Sequence, residues 1–243
     1  MVATCSAFTF CKRAFTNIHG NFSPHKAIFQ LHSITTIDGV HCLPIHPSIP
    51  TMPQSQQLTN EQQAALQQAL IYRFLGLVFA YPNDAFLPTL QNALQKISDN
   101  AARFQPLLDA FAAEPQEQLQ AEYTRLFLNG YPNTPCPPYE SVYREERMMG
   151  ESSLAVQKLY QQWEIAIDAN LSDHLATELE FLAFLSAATT LTEVATDALA
   201  TREYFLEEHV RQWLPQFCRD LQKEATVEAY RLLSQLLANV LLH

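Results

Sequence analysis

With 243 residues, 48% of them apolar and only five glycines, the chain can bury a large core but lacks the turn residues of an all-β protein. A formal charge of −10 opposes binding to nucleic-acid phosphates or anionic lipid heads and suits a basic peptide partner. No apolar run reaches the roughly 18 to 20 residues of a membrane span, and five cysteines (Cys5, Cys11, Cys42, Cys136, Cys218) form neither a CxxC zinc site nor a paired disulfide framework, so reduced cytoplasmic thiols are expected.

The chain divides near Met52. Residues 1–51 hold five of the eight histidines, three of the five cysteines and four charged groups, Lys12, Arg13, Lys26 and Asp38. Lys12 and Arg13 precede no long apolar core, and no arginine-rich amphipathic face is present, so neither a secretory signal nor a transit peptide is read there. We read 1–51 as a disordered extension and Met52 as the natural start of one domain, 52–243. Four prolines between His41 and Pro53 disfavour helix across the junction.

From Thr59 the pattern is helical. Thr59 and Gln62 form a capping box, followed by an apolar stripe of Leu66, Leu70, Phe74, Leu77 and Tyr81. Asp84 is placed to cap a second helix carrying Leu87, Leu90, Leu94 and Ile97, which Asp99 and Asn100 would end. A short third helix would bury Leu107, Leu108 and Phe111. Pro115 suits the first turn of a fourth, with Leu119, Tyr123, Leu126 and Phe127 inward. Further helices are expected over Leu154–Trp163, Asp173 to about Thr190, Thr192 to about Trp213, and Val227 to the end, with Pro215 expected to kink or interrupt. The sum is an all-α fold, a single globular bundle of eight or nine helices.

Three stretches stand out. Leu126–Tyr143, LFLNGYPNTPCPPYESVY, is too rich in proline for helix, and long loops are commonly functional. Prolines 132, 135, 137 and 138 would stiffen it, so Tyr131, Tyr139 and Tyr143 either form a prepared apolar surface or seal the end of the bundle. In LSDHLATELEFLAFL, Asp173 reads as an N-cap, and His174 and Glu178 stand one helical turn apart. That pair is too small for a catalytic metal site, which takes three protein ligands, whereas Asp173, Glu178 and Glu180 would give an acidic rim beside an apolar loop. Phe205, His209, Trp213 and Phe217 recur every fourth position, the spacing of a core stripe holding a packed histidine. No phosphate loop or nucleophile elbow is present, and a Cys136–His174 nucleophile pair has no visible means of lowering the thiol pKa.

EYTRLFLNGYPNTPCPPYESVY, SDHLATELEFL and FLEEHVRQWLPQF, in that order and spacing, resemble the three signatures of the TorD/DmsD family of molybdoenzyme chaperones. Tyr123, Leu126, Phe127, Gly130, Pro137, Pro138, Tyr139, Glu140 and Ser141 match the first, and Asp173, His174, Leu175, Glu178, Leu179 and Phe181 the second. Leu171 and Ser172 depart from it, since many members carry proline just before the Asp-His pair. The resemblance covers about Leu58 to His243. It implies a TorD-like all-helical chaperone domain in the cytoplasm, binding the twin-arginine signal peptide and apo form of a molybdenum-cofactor oxidoreductase, assisting cofactor insertion and delaying export. The implied client-binding residues are Tyr123, Phe127, Pro138, Tyr139, Glu140, Ser141, Tyr143, Asp173, His174 and Glu178, with no catalytic residue, metal or cofactor. Beyond Thr51 the chain carries 12 basic and 24 acidic residues, which suits such a peptide. The alternatives are a helical metal-dependent enzyme using His174 and Glu178, and an interaction protein with an unrelated partner. Whether a helix-exchanged homodimer forms, and whether guanine nucleotide binds, the sequence leaves open.

Overall fold

The computed structural model describes residues 58–98, 101–130, 133–167 and 172–242, so the expectations for 1–51 and Met52, for Asp99 and Asn100, and for Tyr131 lie outside it. Within those residues it holds ten α-helical segments: α1 (Asn60–Leu77), α2 (Phe86–Gln95), α3 (Gln105–Ala113), α4 (Gln116–Tyr123), α5 (Glu140–Glu145), α6 (Glu151–Gln162), α7 (Leu175–Ala188), α8 (Ala195–Phe205), α9 (Arg211–Glu224) and α10 (Glu228–Leu241). A π-helical turn, Leu206–Val210, fuses α8 to α9, so the segments make nine rods, as the periodicity predicts. A second π turn, Thr124–Leu128, prolongs α4.

The local signals differ in how they materialise. At α1 the capping box forms as expected: the Gln62 N–H donates to Thr59 Oγ1 at 3.2 Å and the Thr59 N–H to Gln62 Oε1 at 3.0 Å. Tyr81 falls beyond the helix and is exposed, because α1 is buried on two flanks (Ile71, Tyr72, Phe74, Leu75) rather than along one stripe. Asp84 does not cap α2, whose N-cap is Ala85; Asn83 Oδ1 instead accepts the Ala85 N–H at 3.0 Å. Leu154 is exposed, and α6 turns Val156 and Tyr160 inward. Pro215 does not interrupt: α9 runs on to Glu224 with Trp213, Leu214, Phe217, Cys218 and Leu221 buried. The burial of those side chains outweighs the lost backbone bond.

Packing follows the aromatic residues. Phe127 touches Phe79, Tyr123, Phe217 and Tyr230 at centroid separations of 5.2 to 6.5 Å, and Phe111 continues the chain of rings from Tyr230 to Phe86. The main helix pair is α1 on α7. At Gly76 the two backbones lie close together: a Cβ there would rest in van der Waals contact, 3.4 Å from the Ala176 carbonyl oxygen. A second pair, α9 with α10, is clamped to the end of α4: Arg125 meets both Glu122 oxygens at 2.8 and 2.9 Å and donates to the Glu224 carbonyl at 2.6 Å, while the Thr226 N–H donates to Glu122 at 2.6 Å. Burial alone would raise the Glu122 pKa, but these donors outweigh it and hold the carboxyl below its ordinary value.

Candidate functional site

The proline-rich loop and the Asp-His segment, some thirty residues apart in sequence, are joined by their backbones. Tyr139 and His174 form an isolated antiparallel bridge, with the Glu140 N–H donating to the Asp173 carbonyl at 3.0 Å and the Leu175 N–H to the Pro138 carbonyl at 2.9 Å. Prolines 137 and 138 have no N–H to give, so the loop contributes its carbonyl at Pro138 and its first free amide beyond Tyr139. The Asp173 carboxylate adds a third link, accepting the Ser141 N–H at 2.8 Å.

That bond corrects the role expected of Asp173. His174 is the N-cap of α7, its Nδ1 accepting the Ala176 N–H at 3.1 Å, while Asp173 lies 2% exposed inside the seam. Aspartate is the usual cap, but here its carboxylate is drawn to the α5 amide. Since Nδ1 must accept, the ring is the neutral tautomer with its proton on Nε2. Burial pushes the His174 pKa down to about 4, against a small opposing effect of Asp173.

The acidic rim expected of Asp173 and Glu178 is likewise not at the surface. Glu178 is 0% exposed and its carboxyl points into the protein beside Glu140 and the Trp213 indole. Burial, reinforced by Glu140 and Asp173, pushes its pKa well above the ordinary value. Only Glu180 of that trio is exposed. Glu140, also fully buried, is flanked by two nitrogen groups: Arg144 Nη1 at 2.5 Å and His209 Nδ1 at 3.0 and 3.1 Å from its oxygens. Arg144 also donates to the Glu208 carbonyl at 3.0 Å. The third signature is therefore part of the same seam: His209, on the π turn 206–210, meets the glutamate of the first.

Of the remaining predicted residues, Tyr123 and Phe127 are buried in the aromatic core, and the Tyr123 hydroxyl donates to the Phe79 carbonyl at 2.7 Å. Pro138 and Ser141 are buried. Tyr143 is half-buried, with its ring 5.4 Å from Trp213 and 6.0 Å from Phe217. What reaches the surface is smaller: half-buried Tyr139, edge-on to half-buried His174 at 4.9 Å, with Phe79 beneath the imidazole. Exposed Tyr81 stands edge-on to Tyr123, and exposed Leu128 begins the loop. Sequence reasoning missed Arg144 and Trp213 as members of this seam and placed His209 in a purely local environment. The every-fourth-residue stripe located His209 but could not reveal a partner 69 residues away.

Neither enzymatic alternative gains support. The described residues contain no group of three or more His, Cys, Asp or Glu side chains placed to hold a metal. His174 already spends Nδ1 on its helix, and Glu178 faces inward. Cys136 is fully buried, its thiol pKa pushed up to about 12 by burial, which leaves little thiolate.

The bundle is the fold of a solved redox enzyme maturation protein of Archaeoglobus fulgidus: TM-score 0.53, 22% identity, over 76% of this chain and 97% of that one. The sequence model of the nitrate reductase delta subunit family matches residues 79–219, and the chain belongs to that family, the TorD family its motifs resemble. Similar proteins include the selenate reductase assembly chaperone of Thauera selenatis, 36% identical over 65% of this chain and 78% of that one. The chlorate reductase assembly chaperone of Ideonella dechloratans is 28% identical over 65% and 78%, and the chaperone TorD of Vibrio cholerae 28% over 67% and 71%. Among the described residues no helix is long and apolar enough to cross a membrane.

Proposed function

We propose that this chain is a cytoplasmic assembly chaperone for a molybdenum-cofactor oxidoreductase, binding the twin-arginine signal peptide and apo form of that enzyme before export and assisting cofactor insertion. The observation that carries the reading is the Tyr139–His174 bridge, which sets the proline-braced loop and the α7 start side by side as one aromatic surface on a rigid base. The selenate and chlorate reductase assembly chaperones and TorD supply the client class by similarity. In this reading Tyr139, His174 and the exposed part of Tyr143 meet the apolar stretch of the peptide. Tyr123, Phe127, Pro138, Glu140, Ser141, Asp173 and Glu178 hold that surface in shape. The arginines are drawn by the acidic charge of the whole domain, which steers association and is screened by salt.

The test is calorimetry of the full chain with a synthetic twin-arginine leader peptide of a molybdoenzyme, at two salt concentrations, for wild type, Tyr139→Ala and His174→Ala. An aromatic anchor removed from a desolvated contact costs on the order of 2 kcal/mol, about thirtyfold in affinity. If Tyr139→Ala binds as wild type and a Lys-Lys peptide binds as the Arg-Arg one, this surface is not the receptor.

A further inference from the structure

Three carboxyl groups meet where α5, the start of α7 and the α8–α9 rod join: Glu140, Asp173 and Glu178, exposed 0%, 2% and 0%. Two of them have donors. Glu140 has Arg144 from its own helix and His209 from the π turn, and Asp173 has the Ser141 N–H. Glu178 has no cation: neither of its oxygens makes a hydrogen bond of normal geometry, and what lies beside them is the Trp213 indole N–H and the Glu140 carboxyl. The groups that face Glu178 are Glu140 from α5, Asp173 from the segment before α7, Trp213 from α9 and the Tyr160 phenol from α6. The Arg144 guanidinium and the His209 ring both lie on Glu140.

We propose that Glu178 is a proton-held catch: as a neutral carboxylic acid it lets α5 lie against α7, and losing its proton opens the seam that carries the Tyr139–His174 bridge. A carboxylate with no cation and only the Trp213 indole N–H beside it, buried next to a second carboxyl group, is unstable, whereas the neutral acid costs far less to bury. The raised pKa of Glu178 agrees with that geometry. No bond to carbon changes; the proton passes from the Glu178 carboxyl to water, and the opened seam hydrates the resulting anion. The closed seam keeps a proton that the open one gives up near the ordinary value of 4.5. From that value up to the closed-state pKa, the opening constant therefore rises about tenfold per pH unit. The catch is a property of the seam and does not depend on which peptide the surface above it binds.

Amide hydrogen exchange on the full chain, in the regime where opening is reversible and fast, tests it. Protection factors for α5 and for the first two turns of α7 are followed from about pH 7 to about pH 8.5, above the window in which His174 takes a proton on opening, in wild type and Glu178→Gln. The expected result is a fall in wild-type protection as pH rises, at up to about tenfold per pH unit, and, in Glu178→Gln, no such fall. A flat wild-type profile overturns the proposal, as does an equal slope in both proteins. The wild-type profile needs no variant, and Glu178→Met, of similar length and without a charge, replaces the glutamine variant should that fail to fold.

Discussion

Replacing Asp173 distinguishes a brace from a contact, because the two roles predict different costs. As a simple helix cap its loss to alanine would cost about 1 kcal/mol. The structure instead gives the carboxylate a buried amide, the Ser141 N–H at 2.8 Å, with Ser141 wholly buried. A hydrogen bond to a charged acceptor contributes about 1.5 to 3 kcal/mol, and an amide left unpaired in the interior costs about 1 to 3 kcal/mol; the two figures describe the same loss and are not added. The expected net cost of Asp173→Ala is about 2 kcal/mol, and that of Asp173→Asn, whose amide oxygen can still accept from Ser141, is under about 1 kcal/mol. Urea unfolding of both variants measures this, and peptide titration beside it reads the function. If Asp173→Ala unfolds at the wild-type midpoint yet no longer binds peptide, Asp173 is a direct contact and the brace is refuted.

Three further outcomes follow from the same geometry. Phe127→Ala, which removes a ring in contact with four others, should destabilise by about 3 to 5 kcal/mol; at temperatures where the variant remains folded, peptide affinity should match wild type. Arg125→Ala should cost about 2 kcal/mol in urea unfolding, discounted from a fully buried pair because the arginine side chain is 37% exposed, and should loosen the α9–α10 turn more than α1 in hydrogen exchange. For His174, whose folded pKa lies near 4 against an ordinary 6.5, the native state binds fewer protons than the unfolded one, so its contribution is full above 6.5 and is lost as pH falls toward 4. The difference in unfolding free energy between wild type and His174→Asn should change across that window by on the order of 3 kcal/mol, and a constant difference would show that the ring is not held neutral.

The fold was largely legible because helix signals are local. The Thr59–Gln62 box, the Leu107, Leu108 and Phe111 cluster and the Leu119, Tyr123, Leu126 and Phe127 stripe each lie within a few residues, and each forms as read. The errors fall where two local tendencies compete. Asp84 and Asn83 both offer oxygens to the start of α2, and Asn83 supplies the bond to the Ala85 amide. At Pro215 the intrinsic penalty is real, but five buried neighbours on α9 carry the helix through. The continuity of α4 through Leu126 and Phe127 and of one helix from Thr192 to about Trp213 is read from the sequence, but neither π turn has a sequence signature, so their π register is seen only in three dimensions.

The site was legible as a set of segments but not as a set of roles, and the reason is charge. A sequence reading places aspartate and glutamate at the surface, because an isolated buried carboxylate is costly. It therefore makes Glu140, Asp173 and Glu178 face a cationic peptide. The cost disappears when partners arrive from distant parts of the chain: His209 reaches Glu140 across 69 positions, and the Ser141 amide reaches Asp173 across 32. Glu178 has only the Trp213 indole and other carboxyl groups about it, and its burial pushes its pKa well above the ordinary value instead. Three signatures that look like three pieces of a binding surface thus have a shared interior, and it is this interior that fixes Tyr139 against His174. Affinity for a peptide then depends on acidic residues that need not touch it. A loss of binding on mutating Glu140 or Asp173 has meaning only beside a measurement of stability, whereas the same loss at Tyr139, half-exposed and outside the charged network, reports on the surface itself.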